Sequence, residues 1–204
     1  MNIHMGVFLL VLEKYFRNLP NVHTDRLLLR KIQLTDAEDL FAYGSTEAVT
    51  RNVTWYPYEN LEDAKKFITH VHAYYEAGKP APWAIEHQET GKMIGTVGFG
   101  NVKEEHFVTE IAYAISEDFW GKGYTTEAVK EMLRIGFEEL GFIRIEAQCL
   151  PENVASERVM QKVGMTYEGT LRKVAYIKGK NRDLKIYSIL QEEYFLGNSR
   201  GKKV

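Results

Sequence analysis

Two glycines separated by one residue mark the segment of this chain whose spacing points most clearly to chemistry. Gly121 and Gly123 lie between an alternating, strand-like run from Thr109 to Ile115 and an apolar pattern of helical spacing that begins after Thr126. The first turn of a helix has backbone N–H groups without internal partners, and these groups attract anions. Because glycine has no side chain, a phosphate can approach such a backbone closely. The spacing therefore predicts a phosphate-binding loop at a strand-to-helix turn.

The spacing of the glycines disagrees with two widespread nucleotide-binding loops. The ATPase loop needs Gly-Lys-Ser/Thr, but Gly123 stands in the place of Ser/Thr. The dinucleotide fingerprint needs a third glycine where this chain has Thr126. A second glycine cluster, Gly95, Gly98 and Gly100, precedes another strand and predicts close packing within a sheet.

Residues 119–128 resemble the coenzyme A loop of the GNAT acetyltransferases. They read Phe-Trp-Gly-Lys-Gly-Tyr-Thr-Thr-Glu-Ala. An aromatic residue followed by Trp-Gly-Lys-Gly-Tyr-x-Thr-Glu-Ala is the form of this loop in the RimJ/RimL branch, the ribosomal-protein N-terminal acetyltransferases and their relatives. Three other segments are similar to the same branch and lie in the expected order: a first strand at residues 24–30, a strand and helix at 143–165, and a closing hairpin at 171–190.

The resemblance implies the GNAT fold, an α/β domain of mixed α+β type. Its central mixed, mostly antiparallel sheet would have about seven strands, flanked by about four helices. The implied reaction moves an acetyl group from acetyl-CoA, the cosubstrate, to a primary amine by direct attack in a ternary complex. The implied acceptor is a ribosomal or other protein N-terminus, or a small-molecule amine. A catalytically silent coenzyme A-binding or regulatory module is the alternative.

The resemblance also assigns residues to the coenzyme. Backbone groups of Tyr113, Ala114 and Ile115 would hold the pantetheine arm and the thioester carbonyl, and the Asn153 side chain would bond the pantetheine amides. Ser156 would hydrogen-bond the coenzyme sulfur and assist the departing thiolate. The pyrophosphate would lie against N–H groups of the loop, whose residues are Trp120, Gly121, Lys122, Gly123, Tyr124, Thr125 and Thr126.

The acid–base chemistry has three candidate side chains, Ser156 on the thiolate side and Glu110 and Glu146 on the amine side. Attack on a thioester needs a neutral amine and a polarised carbonyl, and a glutamate commonly serves as the base. The two glutamates lie on successive predicted strands. A structural role in an ion pair stays open for each of them.

Three positions lack side chains that related enzymes carry, and these differences motivate the silent-module alternative. GNAT enzymes often carry a carboxylate at the position of Gln148, and many use a tyrosine at the position of Met160. RimL-like enzymes have a glutamate where this chain has Ala175. Asn153 also fits a plain helix N-cap. Tyr187 would line the acceptor cleft or belong to the core.

Acceptor selectivity is expected in two loops, at residues 55–59 and 174–182. Trp55, Tyr56 and Tyr58 suggest an aromatic wall beside the acceptor. A hydrophobic lid or a subunit contact would have the same composition.

Metal binding and covalent catalysis have little support in the sequence. The six histidines show no His-Glu-x-x-His spacing and the single cysteine excludes Cys-x-x-Cys, so no metal site is predicted. Cys149 lies in an apolar strand, which favours a packed thiol over a nucleophile. A lone cysteine also excludes an internal disulfide and suits a reducing compartment.

Composition favours one domain of a cytoplasmic protein. The 204 residues are 45% hydrophobic, which allows a single sizeable core. A net charge of −2 argues against direct nucleic-acid binding. The apolar run at residues 7–12 is too short for a membrane, which takes about 20 residues. We expect an N-terminal helical extension at residues 1–20, a single acetyltransferase domain at 21–196 and a tail at 197–204.

Hydrophobic periodicity predicts the elements that position these residues. A helix at residues 5–18 is expected to pack on the body of the domain or on the second subunit of a homodimer. Thr35 with Glu38 predicts a capping box for the next helix, and a further helix would begin after Asn60 and end at Gly78. Strands are predicted at residues 26–32, 83–87, 93–99, 107–116, 143–150, 165–175 and 183–190, and the remaining helices run from the glycine loop to about residue 140 and over 153–163.

Overall fold

Eight strands form one sheet in which a single pair of neighbours runs parallel. The computed structural model describes the backbone of residues 3–200 and the side chains of residues 5–197, and the numbers of elements refer to that part of the chain. The strands are β1 (Val22–His23), β2 (Leu27–Arg30), β3 (Trp83–His87), β4 (Lys92–Lys103), β5 (Val108–Ile115), β6 (Arg144–Cys149), β7 (Thr166–Ile177) and β8 (Lys180–Leu190). Their order across the sheet is β1-β2-β3-β4-β5-β6-β8-β7, and β5 with β6 is the parallel pair.

Seven α-helices flank this sheet in the described residues. They are α1 (Ile3–Arg17), α2 (Ala37–Gly44), α3 (Glu47–Thr50), α4 (Leu61–Glu76), α5 (Tyr124–Arg134), α6 (Val154–Lys162) and α7 (Gln191–Arg200). Trp83, Val97 and Tyr113 lie opposite one another across three strands and so share one face of the sheet. Phe16 of α1 meets the Trp83 ring edge-on on this face, and Ser156 of α6 hydrogen-bonds Tyr113. Helices α2 and α4 pack together, and α2 packs on β4.

The predicted fold class is confirmed: the domain is mixed α/β with a mostly antiparallel central sheet. The expected helix at residues 5–18 is observed as α1, and it packs on the body of the domain. Phe8, Leu12 and Phe16 of α1 are buried, and Phe8 meets the rings of Phe107 and Phe142 edge-on. Burying one such side chain stabilises the fold by about 1.5–3 kcal/mol. The described residues include no helix long and apolar enough to cross a membrane.

The helix caps show where the local sequence signal succeeds and where a side chain of the preceding strand overrides it. Asn60 caps α4 as predicted, accepting the N–H of Asp63 at 3.3 Å. The predicted capping box of Thr35 and Glu38 is wrong, because a tight 3-10 turn precedes α2. Asp36 shapes this turn: its carboxylate accepts two hydrogen bonds of 2.7 Å from Arg30 and one of 2.7 Å from the Gln33 N–H.

The C-terminal part holds more regular structure than predicted. β7 and β8 form a long hairpin whose turn at Lys178 and Gly179 has positive φ at both residues, the pattern of a tight two-residue hairpin turn. The predicted strands of this hairpin, at residues 165–175 and 183–190, are shorter than the observed ones because the polar residues 180–182 show no apolar alternation. Helix α7 runs to Arg200, so residues 197–200, for which a tail was expected, are helical. Near the start of this helix the Glu193 carboxylate accepts the N–H of Leu190 at 2.9 Å. Residues 201–204 lie outside the described part.

Candidate functional site

The parallel strands β5 and β6 pair for only three residues and then separate. Their ladder joins Val108 to Arg144 and ends with Glu110 opposite Glu146. β5 continues to Ile115 along β4, while β6 continues along β8. A wedge therefore opens between the two strands, with its narrow end at the two glutamates.

Hydrogen bonding along β5 determines which peptide groups face this wedge. The Ser116 N–H bonds the Ile94 carbonyl at 2.7 Å, and in an antiparallel pair such bonds occur at every second residue. By this alternation the peptide groups of Ala114 face β4, whereas those of Tyr113 and Ile115 face the wedge. A strand edge of this kind can pair with an extended chain of amides.

The predicted phosphate loop lies at the end of β5. Gly121 and Gly123 have φ of +73° and +85°, which a side chain would strain, and Gly123 is the N-cap of α5. The indole N–H of Trp120 donates to the Ile115 carbonyl at 2.9 Å and fixes the loop to the strand. The first N–H groups of α5 have no acceptor inside the helix and bear its positive dipole end. The loop has the geometry of an anion site, and Lys122 adds a positive charge beside it.

An ion-pair clasp attaches this loop to the start of β2. The Glu127 carboxylate accepts Thr24 Oγ1 at 2.6 Å, the Arg26 N–H at 2.9 Å and Arg26 Nε at 2.7 Å. Arg26 also donates to the Lys122 carbonyl at 3.0 Å and lies over the Tyr124 ring at 4.3 Å. Burial would raise the pKa of Glu127, but the bonds from Thr24 and Arg26 outweigh it and lower the pKa. Sequence reasoning did not pair these residues, although both segments carried the same family resemblance.

A second anchor holds the first residue of α5. His87 Nε2 lies 3.0 Å from Tyr124 Oη, and His87 Nδ1 lies 3.1 Å from Thr90 Oγ1. The loop is thus fixed from β2 and from β3 before any ligand binds.

Glu110 lies at the narrow end of the wedge in a poorly solvated position. Burial raises the pKa of Glu110; a 2.7 Å hydrogen bond from Asn101 opposes this effect, and the negative charge of Glu146 adds to it. The Gln148 amide donates to the same carboxylate at 3.4 Å. A carboxylate with a raised pKa is a stronger base than an ordinary one.

Glu146, the other predicted base, has a different environment. It accepts Arg144 Nε at 2.9 Å and Lys103 Nζ at 3.1 Å. Burial alone would raise the pKa of Glu146, but these two cations lower it. Arg144 also holds Glu168 through two hydrogen bonds. The geometry therefore favours the structural interpretation for Glu146.

The residues predicted for the sulfur side meet where α6 begins. Asn153 Oδ1 accepts the Ser156 N–H at 3.1 Å, so Asn153 is the N-cap of α6. Ser156 Oγ lies 2.7 Å from Tyr113 Oη, and Tyr113 also reaches the Ser156 carbonyl at 3.2 Å. Burial raises the pKa of Tyr113, which keeps its phenol neutral.

Other candidates belong to the core. Met160 is fully buried, and Tyr187 is buried with its hydroxyl donating to Glu157 at 2.6 Å. The prediction of a packed thiol at Cys149 is confirmed: it is buried, and burial raises its pKa to about 11. Among the described residues, no cluster of three or more metal-binding side chains occurs.

The part of the chain that forms the wedge and the glycine loop also matches a family model. The model described as an acetyltransferase (GNAT) domain matches residues 26–166. The chain belongs to the GNAT family. It is an N-acetyltransferase, and this family uses acetyl-CoA as its acetyl donor. The GNAT part of the predicted resemblance is thereby confirmed, whereas membership of the RimJ/RimL branch stays a prediction.

Three similar proteins illustrate the range of the family. The uncharacterized N-acetyltransferase YoaA of Bacillus subtilis strain 168 is 36% identical over 175 residues, covering 84% of this chain and 97% of that protein. A GNAT acetyltransferase structure from Bacillus anthracis superposes with a TM-score of 0.76 at 30% identity, covering 85% of this chain and 100% of that one. The spermidine N(1)-acetyltransferase of Escherichia coli strain K12 is 25% identical over 177 residues, covering 86% and 91% of the two chains.

Proposed function

We propose that this protein transfers the acetyl group of acetyl-CoA directly to a primary amine in a ternary complex. The observation that carries the proposal is the wedge between β5 and β6, with an anion loop at its open end and Glu110 at its narrow end. A coenzyme whose pantetheine arm runs from a pyrophosphate to a thioester matches this arrangement.

The coenzyme would bind along residues that are already in place. The N–H groups of the loop and the start of α5 would hold the pyrophosphate. The peptide groups of Tyr113 and the N–H of Ile115 would pair with pantetheine amides, as one strand pairs with another, while the Ile115 carbonyl is already held by Trp120. The side-chain oxygen of Asn153 is occupied as the helix cap, so Asn153 would bind the coenzyme through its side-chain NH₂ group.

Glu110 is the residue we assign as the general base. Its raised pKa lets it accept the proton that the amine loses on attacking the thioester carbonyl. Glu146 forms ion pairs with Arg144 and Lys103 and, in this proposal, keeps these two side chains in place. The electron pair of the broken C–S bond goes to sulfur, and the resulting thiolate lies toward Ser156.

The acceptor would be a small-molecule amine or a protein N-terminus. Similarity to a spermidine acetyltransferase supports the first class, and the RimJ/RimL-like loop supports the second. In this proposal the loop at residues 55–59 and the β7–β8 hairpin select between them.

Two measurements test the proposed function. Calorimetric titration with acetyl-CoA should show binding at micromolar to millimolar concentration, and an absence of heat at millimolar concentration would rule the proposal out. Thiol release should then be screened over polyamines, aminoglycosides, amino acids and N-terminal peptides. The Glu110→Gln variant should still bind acetyl-CoA and lose turnover. If the wild-type protein binds acetyl-CoA but turns over with no amine, it is instead a silent coenzyme A-binding module.

A further inference from the structure

Two hydroxyl groups from different elements meet at the wedge, and the sequence assigned a role to only one of them. Tyr113 Oη of β5 lies 2.7 Å from Ser156 Oγ of α6, although the residues are 43 positions apart. We propose that Tyr113 is a positioning residue that aims the Ser156 hydroxyl at the departing coenzyme sulfur. This inference rests on the proposed function and adds a residue to it.

The hydrogen atoms of this pair can be ordered in two ways. In the first, Tyr113 donates to the Ser156 carbonyl at 3.2 Å and accepts the Ser156 Oγ–H. In the second, Tyr113 donates to Ser156 Oγ, and the serine proton points to a third acceptor. Each hydroxyl carries one hydrogen, so only the second order lets Ser156 donate to sulfur.

The surroundings allow Tyr113 to take the second order when the coenzyme sulfur is present as the third acceptor. Burial keeps its phenol protonated, so it remains a donor at neutral pH. The other titratable side chain that acts on it is Cys149, itself a buried neutral thiol. The Ser156 N–H is fixed by the Asn153 cap, which restrains the serine backbone while its hydroxyl rotates. A hydroxyl that accepts a hydrogen bond becomes a better donor through its own proton.

The two hydroxyls donate hydrogen bonds and transfer no proton in this step. As the C–S bond breaks, its electron pair goes to sulfur, and the amine proton goes to Glu110. A thiolate is less basic than a serine alkoxide or a tyrosinate, so the stable arrangement keeps both hydroxyl protons on oxygen. The bond from Ser156 to the thiolate is charge-assisted, and Tyr113 strengthens it. Because the charge develops only as the bond breaks, the benefit falls on turnover rather than on binding.

The test compares Tyr113→Phe, Ser156→Ala and the double variant under saturating amine. Tyr113→Phe removes one oxygen and should lower kcat about tenfold, or about 1.4 kcal/mol, with the KM for acetyl-CoA within about twofold. Ser156→Ala should lower kcat by at least as much. The double variant should match Ser156→Ala, because Tyr113 acts only through the serine.

Three outcomes would overturn the inference: wild-type kcat in Tyr113→Phe, single effects that multiply in the double variant, or a loss confined to KM. Thermal unfolding checks that Tyr113→Phe is folded. Should it unfold, a fluorinated tyrosine placed at position 113 retains the ring and is a stronger donor; an increased kcat supports the inference, and an unchanged or decreased kcat contradicts it. A wild-type protein without turnover would defeat the proposed function and this inference together, whereas an active wild type with an equally active Tyr113→Phe defeats this inference alone.

Discussion

Arg26 and Glu127, 101 residues apart in sequence, form an ion pair of 2.6 Å between the start of β2 and the first turn of α5. The Glu127 side chain is 16% exposed and that of Arg26 45%, so the pair is partly shielded from solvent. Through Arg26 the pair also holds the Lys122 carbonyl. The conformation of the anion loop is therefore determined before a ligand arrives, which lowers the ordering cost of binding.

Glu127→Gln should weaken acetyl-CoA binding more than catalysis. The amide can still accept a hydrogen bond from Thr24, but it loses the charge that holds Arg26, so the loop loses order. We expect the Kd for acetyl-CoA to rise about tenfold, or about 1.4 kcal/mol. Calorimetry measures this, with Glu131→Gln as the control, since Glu131 pairs with Arg134 on the same helix. Equal affinities for both variants would show that the clasp does not order the loop.

Glu110→Gln should abolish most turnover while retaining acetyl-CoA binding. Loss of a general base costs about 10²–10⁴-fold in kcat. In the wild type, kcat/KM should rise with pH as Glu110 deprotonates, with an inflection above the usual carboxyl range because burial raises its pKa. The pH of this inflection should not change when the acceptor is exchanged for an amine of different pKa. An inflection that follows the pKa of the amine would contradict the assignment of Glu110 as the base.

Glu146→Gln is the control for Glu110→Gln, and it removes the negative charge next to Glu110. Because that charge raises the pKa of Glu110, its loss should shift the inflection to lower pH. The freed Lys103 cation acts in the same direction. The enzyme should stay active, and a loss as large as that of Glu110→Gln would reassign the base to Glu146.

Local sequence signals were sufficient for much of the fold and for the position of the loop. The Asn60 cap and the strand before Gly121 depend on neighbours within a few residues. The capping box at Thr35 failed because Arg30, in a neighbouring strand, binds Asp36 and tightens the turn. Helix α7 was missed because apolar residues in its sequence show little periodicity.

The chemistry was less predictable because its side chains are tuned from distant positions. Glu110 and Glu146 look equivalent in sequence, yet Lys103 binds one of them and Asn101 the other. Neither partner belongs to a motif. The Tyr113 hydroxyl bond likewise depends on packing α6 against β5.

Phe16→Ala should destabilise the whole domain. The Phe16 side chain is fully buried and its ring lies 5.8 Å from that of Trp83, so its loss leaves a cavity between α1 and the sheet. We expect a loss of about 3–5 kcal/mol in the free energy of unfolding. Leu10→Ala, on the exposed side of α1, should change it by less than about 0.5 kcal/mol. Urea denaturation compares the two, and a small effect of Phe16→Ala would mean that α1 detaches in solution.

Lys178→Ala should impair recognition of the amine without affecting the coenzyme. Lys178 Nζ donates to the Thr50 carbonyl at 2.6 Å and lies 5.6 Å from the centre of the Tyr56 ring, so it joins the β7–β8 hairpin to the end of α3. Lys178 belongs to the loop at residues 174–182 and Tyr56 to the loop at residues 55–59, the two regions in which acceptor selectivity is predicted. Burial lowers the pKa of Lys178, a sign that its ammonium is partly removed from water.

Without this bridge the two regions should separate and hold the amine less well. We expect the KM for the acceptor to rise about tenfold, in line with the loss of one charged hydrogen bond of about 1.5 kcal/mol, with the Kd for acetyl-CoA unchanged. Lys180→Ala removes an exposed cation from the same hairpin and controls for charge alone. Steady-state kinetics with the best amine from the screen decide the matter: equal acceptor KM values for the two variants would place acceptor selection elsewhere on the domain.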